Sequence, residues 1–159
     1  VKDYSVMAIQ KKCRKINDLP DAIKSDMPSL AKINKQFGED FIQAYIEGWI
    51  VNLREFFNIG KNMTDEQTQE TAILIVDQFY NLTLADINLI FKKAKLGQLG
   101  KVYDRLDGQI ILSWFDTYYN NRCEAFANNS INESGKYKNV LDDFDRKSKP
   151  MKMSDIIKK

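Results

Sequence analysis

The sequence predicts an all-α fold, a compact bundle of about five main helices followed by a flexible C-terminal tail. Three observations predict it. Apolar residues recur at the three-and-four spacing of one helical face, and strand-type alternation is scarce. Residues that cap helices stand just before those runs. Glycine and proline are sparse, 7 and 3 in 159 residues, and apart from Gly48 they fall between the runs. With 43% hydrophobic residues the chain can bury a core without disulfides or metal, and 29% charged residues suit a soluble globular domain. Its longest apolar runs, Ile73 to Val76 and Ile110 to Leu112, fall far short of the ~18 residues that cross a bilayer, so no membrane partner is expected.

The first segment, about Asp3 to Ile16, sets Val6, Met7, Ile9, Cys13 and Ile16 among lysines, which predicts an amphipathic helix packed outside the core. A linker from Leu19-Pro20 to Met27-Pro28 follows. Ser29 then caps a short helix through Leu30, Ile33 and Phe37 that Gly38 stops. The strongest periodicity runs from Glu39 to Asn58, where Phe41, Ile42, Tyr45, Ile46, Trp49, Ile50, Leu53, Phe56 and Phe57 share a face, and predicts the central core helix. Thr64-Asp65-Glu66-Gln67 has the capping-box spacing that opens a helix burying Ala72, Ile73, Val76, Phe79 and Tyr80. Thr83 with Asp86 opens the next, closed by Lys92, Lys93, Lys95 and Gly97.

After a loop from Gly97 to Gly108, Asp107 caps a helix to about residue 127 with an aromatic stripe including Trp114, Phe115, Tyr118 and Phe126. From about Asn128 the composition turns to Asn, Ser, Lys, Asp and Gly. The organisation expected is an N-terminal helix and linker over 1–28, a helical core over 29–130 and a flexible or partner-ordered tail over 131–159.

Chemistry is conspicuous by what is missing. The chain has no histidine, the commonest general base and neutral metal ligand. Its two cysteines, Cys13 and Cys123, are too far apart in sequence for a zinc motif and read as reduced, partly buried thiols. Gly97-Gln98-Leu99-Gly100-Lys101 lacks the spacing and preceding strand of a phosphate loop. The acids available for carboxylate chemistry have plainer roles. Asp107 is a cap, Asp104 suits an ion pair with Arg105, and Asp142, Asp143 and Asp145 form a solvated strip. No enzyme activity, cofactor or metal is expected.

What remains favours contacts. Residues 1–36 carry 8 basic and 4 acidic side chains, residues 37–132 carry 8 and 13, and residues 133–159 carry 8 and 5, so an acidic middle separates basic ends. Lys11, Lys12, Arg14 and Lys15 form one basic run and Lys92, Lys93 and Lys95 another, which makes these seven the candidate nucleic-acid contacts. The loop residues Lys101, Tyr103, Asp104 and Arg105, and the tail residues Met151, Met153, Ile156 and Ile157, are the candidate protein contacts. Tyr103 and Leu106 could instead tuck into the core. The aromatic stripes of 39–58 and 107–127 could exceed what one bundle buries, which leaves room for a homo-oligomer.

Pro28-Ser29-Leu30-Ala31-Lys32-Ile33-Asn34, Ala44-Tyr45-Ile46-Glu47-Gly48-Trp49, Leu84-Ala85-Asp86-Ile87, Phe91-Lys92-Lys93-Ala94-Lys95-Leu96-Gly97 and Tyr103-Asp104-Arg105-Leu106-Asp107-Gly108-Gln109 resemble a functionally uncharacterised helical family of Bacteroidetes phages and mobile elements. The stretch that carries the resemblance covers about two-thirds of the chain. A looser similarity, in shape alone, is to phage helicase-loader proteins, which pair a small helical domain with a tail that engages the replicative helicase. The family resemblance implies a phage or mobile-element neighbourhood and no mechanism; the loader analogy adds the expectation of a non-enzymatic adaptor in the bacterial cytoplasm, with a protein partner such as a replication helicase. The alternatives are a virion-associated protein, partnered by a virion component, and a weak nucleic-acid binder. Val1-Lys2-Asp3-Tyr4 lacks a secretory leader pattern, in keeping with a cytoplasmic or virion location.

Overall fold

The computed structural model describes residues 4–57, 60–102 and 104–147, with side chains described as far as residue 128. Among the described residues it is all helical: α1 (Val6–Lys12), α2 (Leu19–Lys24), α3 (Leu30–Phe37), α4 (Glu39–Phe57), α5 (Asp65–Gln78), α6 (Leu84–Lys95) and α7 (Gly108–Lys147). Extended pairing in this part of the chain amounts to two isolated bridges, Ser29 with Thr83 and Lys61 with Arg105. No described helix is long and apolar enough to cross a membrane. The chain divides into two units, residues 1–120 and 121–159, and the core belongs to the first.

Local chemistry sets most helix starts. Ser29 Oγ accepts from Lys32 N at 3.3 Å, and Asp107 Oδ1 accepts from Ile110 N at 3.0 Å. Both capping boxes are closed, Thr64 with Gln67 and Thr83 with Asp86. The caps of α3 and α6 are also pinned to each other, because Leu30 N donates to Leu82 O at 2.8 Å and Leu84 N donates to Pro28 O at 3.0 Å. Each helix therefore satisfies part of the other's unpaired end.

Several expectations are corrected. The linker after Leu19 is itself helical: Asp18 caps α2, and Pro20 stands in its first turn, where a missing N–H breaks no helical bond. The N-terminal region packs onto the core by one face: Ile9, Cys13 and Ala22 are buried in it, while Met7, Lys11 and Lys12 stay exposed. The central helix is α6, not α4. Nine of its twelve residues are buried, including Asp86 and Asn88, whereas α4 keeps Val51 and Phe56 exposed. A helix enclosed on nearly all sides must lie in the middle of its bundle. Around it α4 packs against α3, α5 and α6, while α1 and α2 lean on α6. Tyr80, placed on the apolar face of α5 by periodicity, is 59% exposed because the helix ends at Gln78 and the chain turns at Phe79. Composition suggested that the last helix stops near residue 127, but α7 continues to Lys147.

The aromatic stripe meets the core through Phe115, whose ring lies 5.9 Å from Phe91 and 5.4 Å from Phe79. One polar linkage crosses this interior. Tyr118 Oη donates to Asp86 Oδ1 at 2.7 Å, while Asp86 Oδ2 accepts from Thr83 N and Thr83 Oγ1, both at 2.8 Å. The same carboxylate thus caps α6 and ties it to α7. In the second unit, the Arg122 guanidinium lies 4.9 Å from the Phe126 ring centroid, and Cys123 is exposed rather than partly buried.

Candidate functional site

The two basic runs, more than seventy residues apart, meet at one place. Lys92, in the last turn of α6, donates from Nζ to Ile16 O at 3.1 Å, Arg14 O at 3.4 Å and Asn17 Oδ1 at 2.6 Å. Its ammonium therefore closes the chain reversal after α1, and all three donors are occupied inside the protein. Beside it a pocket of about 380 Å³ opens between α1, α4 and α6. That volume is within the range of about 300–1,000 Å³ found for ligand sites.

The wall of the pocket is aromatic. Trp49 and Phe91 stack at 5.3 Å with an interplanar angle of 16°, and both are fully buried. Phe56 and Leu96 form the rim, 56% and 64% exposed. Exposed apolar side chains grouped around a hollow mark a contact surface more strongly than scattered ones do.

The polar groups are set among these. Lys95 Nζ donates to Asn52 Oδ1 at 2.5 Å, stands 5.2 Å from the Phe56 ring centroid, and has its pKa lowered by burial. Asn52 Oδ1 also accepts from Gln10 Nε2 at 3.4 Å, so one carboxamide oxygen positions both pocket residues. The Arg14 guanidinium is exposed and makes no hydrogen bond or ion pair among the described residues. Asn88 is the least expected member. Its side chain lines the pocket, is only 4% exposed, and has no hydrogen-bond partner among the described residues. Its carboxamide atoms are not sealed from solvent, so they stand at the pocket surface within reach of a ligand.

Behind the wall, burial pushes the Tyr45 hydroxyl well above its usual range; the neighbouring Trp49 N–H pulls it down and Cys13 adds to the rise. Neither Tyr45 Oη nor Trp49 Nε1 reaches hydrogen-bond geometry, so their influence on each other is one of proximity. Cys13 also lines the pocket, and its thiol is pushed up by burial, with Lys12 acting in the opposite sense. A raised thiol pKa leaves little thiolate at neutral pH and makes Cys13 a wall residue rather than a nucleophile.

The candidate residues are thus redistributed. Lys11, Lys12, Arg14 and Lys15 are exposed at and beyond the end of α1, while Lys92, Lys93 and Lys95 are half-buried. Arg14, Lys92 and Lys95 all line the pocket, but the Lys92 ammonium is a structural strut with its donors already engaged. In the loop, Lys101 and Asp104 are exposed and Leu106 is buried, whereas Tyr103 lies outside the described residues. Arg105 pairs with Asp107, Nε to Oδ2 at 3.3 Å, and not with its neighbour Asp104. Met151, Met153, Ile156 and Ile157 also lie outside the described residues.

Sequence reasoning missed Gln10, Asn52, Trp49, Phe56, Asn88 and Leu96 as site residues. One signal was available: Asn88 interrupts Ile87-Asn88-Leu89-Ile90-Phe91, a run otherwise apolar enough to be buried throughout. A second hollow, of about 370 Å³ between α5 and the start of α7, presents Glu70 and Asp107, but both oxygens of Asp107 are engaged, one by the α7 cap and one by Arg105. No three His, Cys, Asp or Glu side chains among the described residues are grouped to hold a metal.

Fold and site together define an all-helical domain with a cationic, aromatic-walled pocket. No family model, curated protein or solved structure matches the chain.

Proposed function

We propose that this chain is a non-enzymatic binding protein, an adaptor of the kind used by phages and mobile elements, that joins a protein partner in the bacterial cytoplasm. The observation that carries this reading is the convergence of α1 and α6 on a pocket whose apolar rim and unpaired Arg14 suit contact more than bond making. A replicative helicase is the partner of first choice, on the strength of the loader-like architecture. The apolar residues Met151, Met153, Ile156 and Ile157, set in a polar stretch, supply a second docking element of the type that folds onto a partner groove. The test is co-purification with the purified host helicase, compared between the full chain, a chain lacking residues 148–159, and Arg14→Glu. Retention of helicase by the full chain and its loss in either variant supports the reading; no retention by the folded full chain refutes the helicase assignment.

A second reading is favoured by one observation: Lys11, Lys12, Arg14 and Lys15 stand exposed in one short stretch. Such a strip can neutralise phosphates, and binding to nucleic acid would then weaken steeply with salt. A mobility-shift titration at low and moderate salt decides it, and absence of a shift at low salt removes it.

A further inference from the structure

We infer that the pocket between α1, α4 and α6 receives an acidic peptide segment of the partner, inserting one aromatic side chain between the rim residues Phe56 and Leu96. This deepens, and rests on, the adaptor reading. Three independent features of the pocket converge on that ligand chemistry.

The first is shape and polarity. A hollow of about 380 Å³ with Trp49 and Phe91 in its wall can take one large apolar side chain and part of its backbone. Leu96, the most exposed rim residue, has no π-face. It therefore packs well against a side chain but adds nothing to the stacking of a nucleic-acid base.

The second is the unpartnered carboxamide of Asn88, 4% exposed and lining the pocket, with the Gln10 carboxamide nearby. A carboxamide both donates and accepts, which matches the N–H and C=O of a peptide unit. A bound peptide unit would take the place of water on this carboxamide, in a setting sheltered from bulk solvent. A phosphate offers acceptors only and would leave the Asn88 oxygen unsatisfied.

The third is charge. Among the described residues that line the pocket there is no carboxylate, while Arg14 and Lys95 both stand there. Lys11, Lys12 and Lys15, exposed neighbours of Arg14 in the chain, add positive charge to the same stretch, which favours acidic residues flanking the anchor. Charge would steer and register the segment, and the aromatic anchor would hold it.

The experiment uses the full chain and four fluorescent ten-residue probes followed by polarisation: an aspartate-rich peptide with one central phenylalanine, the same peptide with alanine at that place, the phenylalanine peptide with lysines for aspartates, and a thymidine oligonucleotide of equal length. The acidic phenylalanine peptide should bind best, and replacing its aromatic residue should weaken binding at least about tenfold, the lower limit expected for losing one buried aromatic side chain. Arg14→Glu and Leu96→Glu change exposed positions and should each lower affinity for that peptide with helicity unchanged. Equal binding of the alanine peptide, tighter binding of the oligonucleotide, no binding by folded protein, or indifference to both variants overturns the inference. The adaptor reading fails separately. If the helicase is retained but Arg14→Glu and Leu96→Glu leave retention unaltered, the pocket is not the contact and the adaptor stands; if the peptide binds as stated and the helicase does not, the pocket stands and the helicase assignment falls.

Discussion

Tyr118→Phe deletes a single oxygen from the interior and should destabilise the protein by about 1.5–3 kcal/mol, the usual contribution of a hydrogen bond to a charged group. The upper half of that interval is expected, because Asp86 and Tyr118 are 0% and 3% exposed and water does not screen the 2.7 Å contact between them. The phenyl ring stays, so the cavity left is small and the cost reports the bond itself. Tyr119→Phe is the internal comparison. Tyr119 Oη accepts from Asn81 Nδ2 at 3.1 Å in a half-buried setting, and losing a neutral bond there should cost only about 0.5–1.5 kcal/mol. Urea titrations followed by circular dichroism measure both, and the slope against denaturant should be unchanged. For a domain of this size the Tyr118 variant should melt roughly 5–12 °C lower. If Tyr118→Phe costs no more than Tyr119→Phe, the Asp86–Tyr118 bond is not the polar tie between α6 and α7 that the geometry describes.

Three further outcomes follow from local geometry. Gly108→Ala would place a Cβ 2.5 Å from Thr71 Oγ1, which is fixed by its own bond to Gln67 O, so the variant should lose about 1–3 kcal/mol and Thr71→Ala should restore much of it. In thiol titration of the folded protein, exposed Cys123 should react at once and buried Cys13 only on unfolding; equal rates would contradict the place of Cys13 in the core. Because the Tyr45 hydroxyl is raised in the folded protein, its contribution to stability is complete below the ordinary tyrosine value of about 10 and is lost as pH climbs beyond it, where only the unfolded chain ionises readily. Stability measured from pH 9 to 11 should therefore fall, and the fall should be smaller in Tyr45→Phe.

Helix starts were legible because they are decided within four residues. Ser29, Thr64, Thr83 and Asp107 each accept a backbone N–H three positions on, and nothing distant is needed for that bond. The apolar face of α4 was equally plain, since its spacing alone places Ile42, Ile46, Trp49, Ile50 and Leu53 together. The pocket was only half legible. Both basic runs stood out, but nothing in either segment says that Lys92 reaches across to the carbonyls of Arg14 and Ile16 while Arg14 is left free.

By itself, then, the sequence determined an all-helical chain with its helix starts placed by side-chain caps, because both follow from bonds and periodicities spanning a few residues. The tertiary structure decided which helix lies at the centre, which lysine is a strut and which a surface charge, and that Asn88 and Asp86 are enclosed polar groups with different fates. Those outcomes depend on what packs against each side chain from elsewhere in the chain. In α6, Asp86 met a tyrosine from α7, and Asn88 met an open pocket.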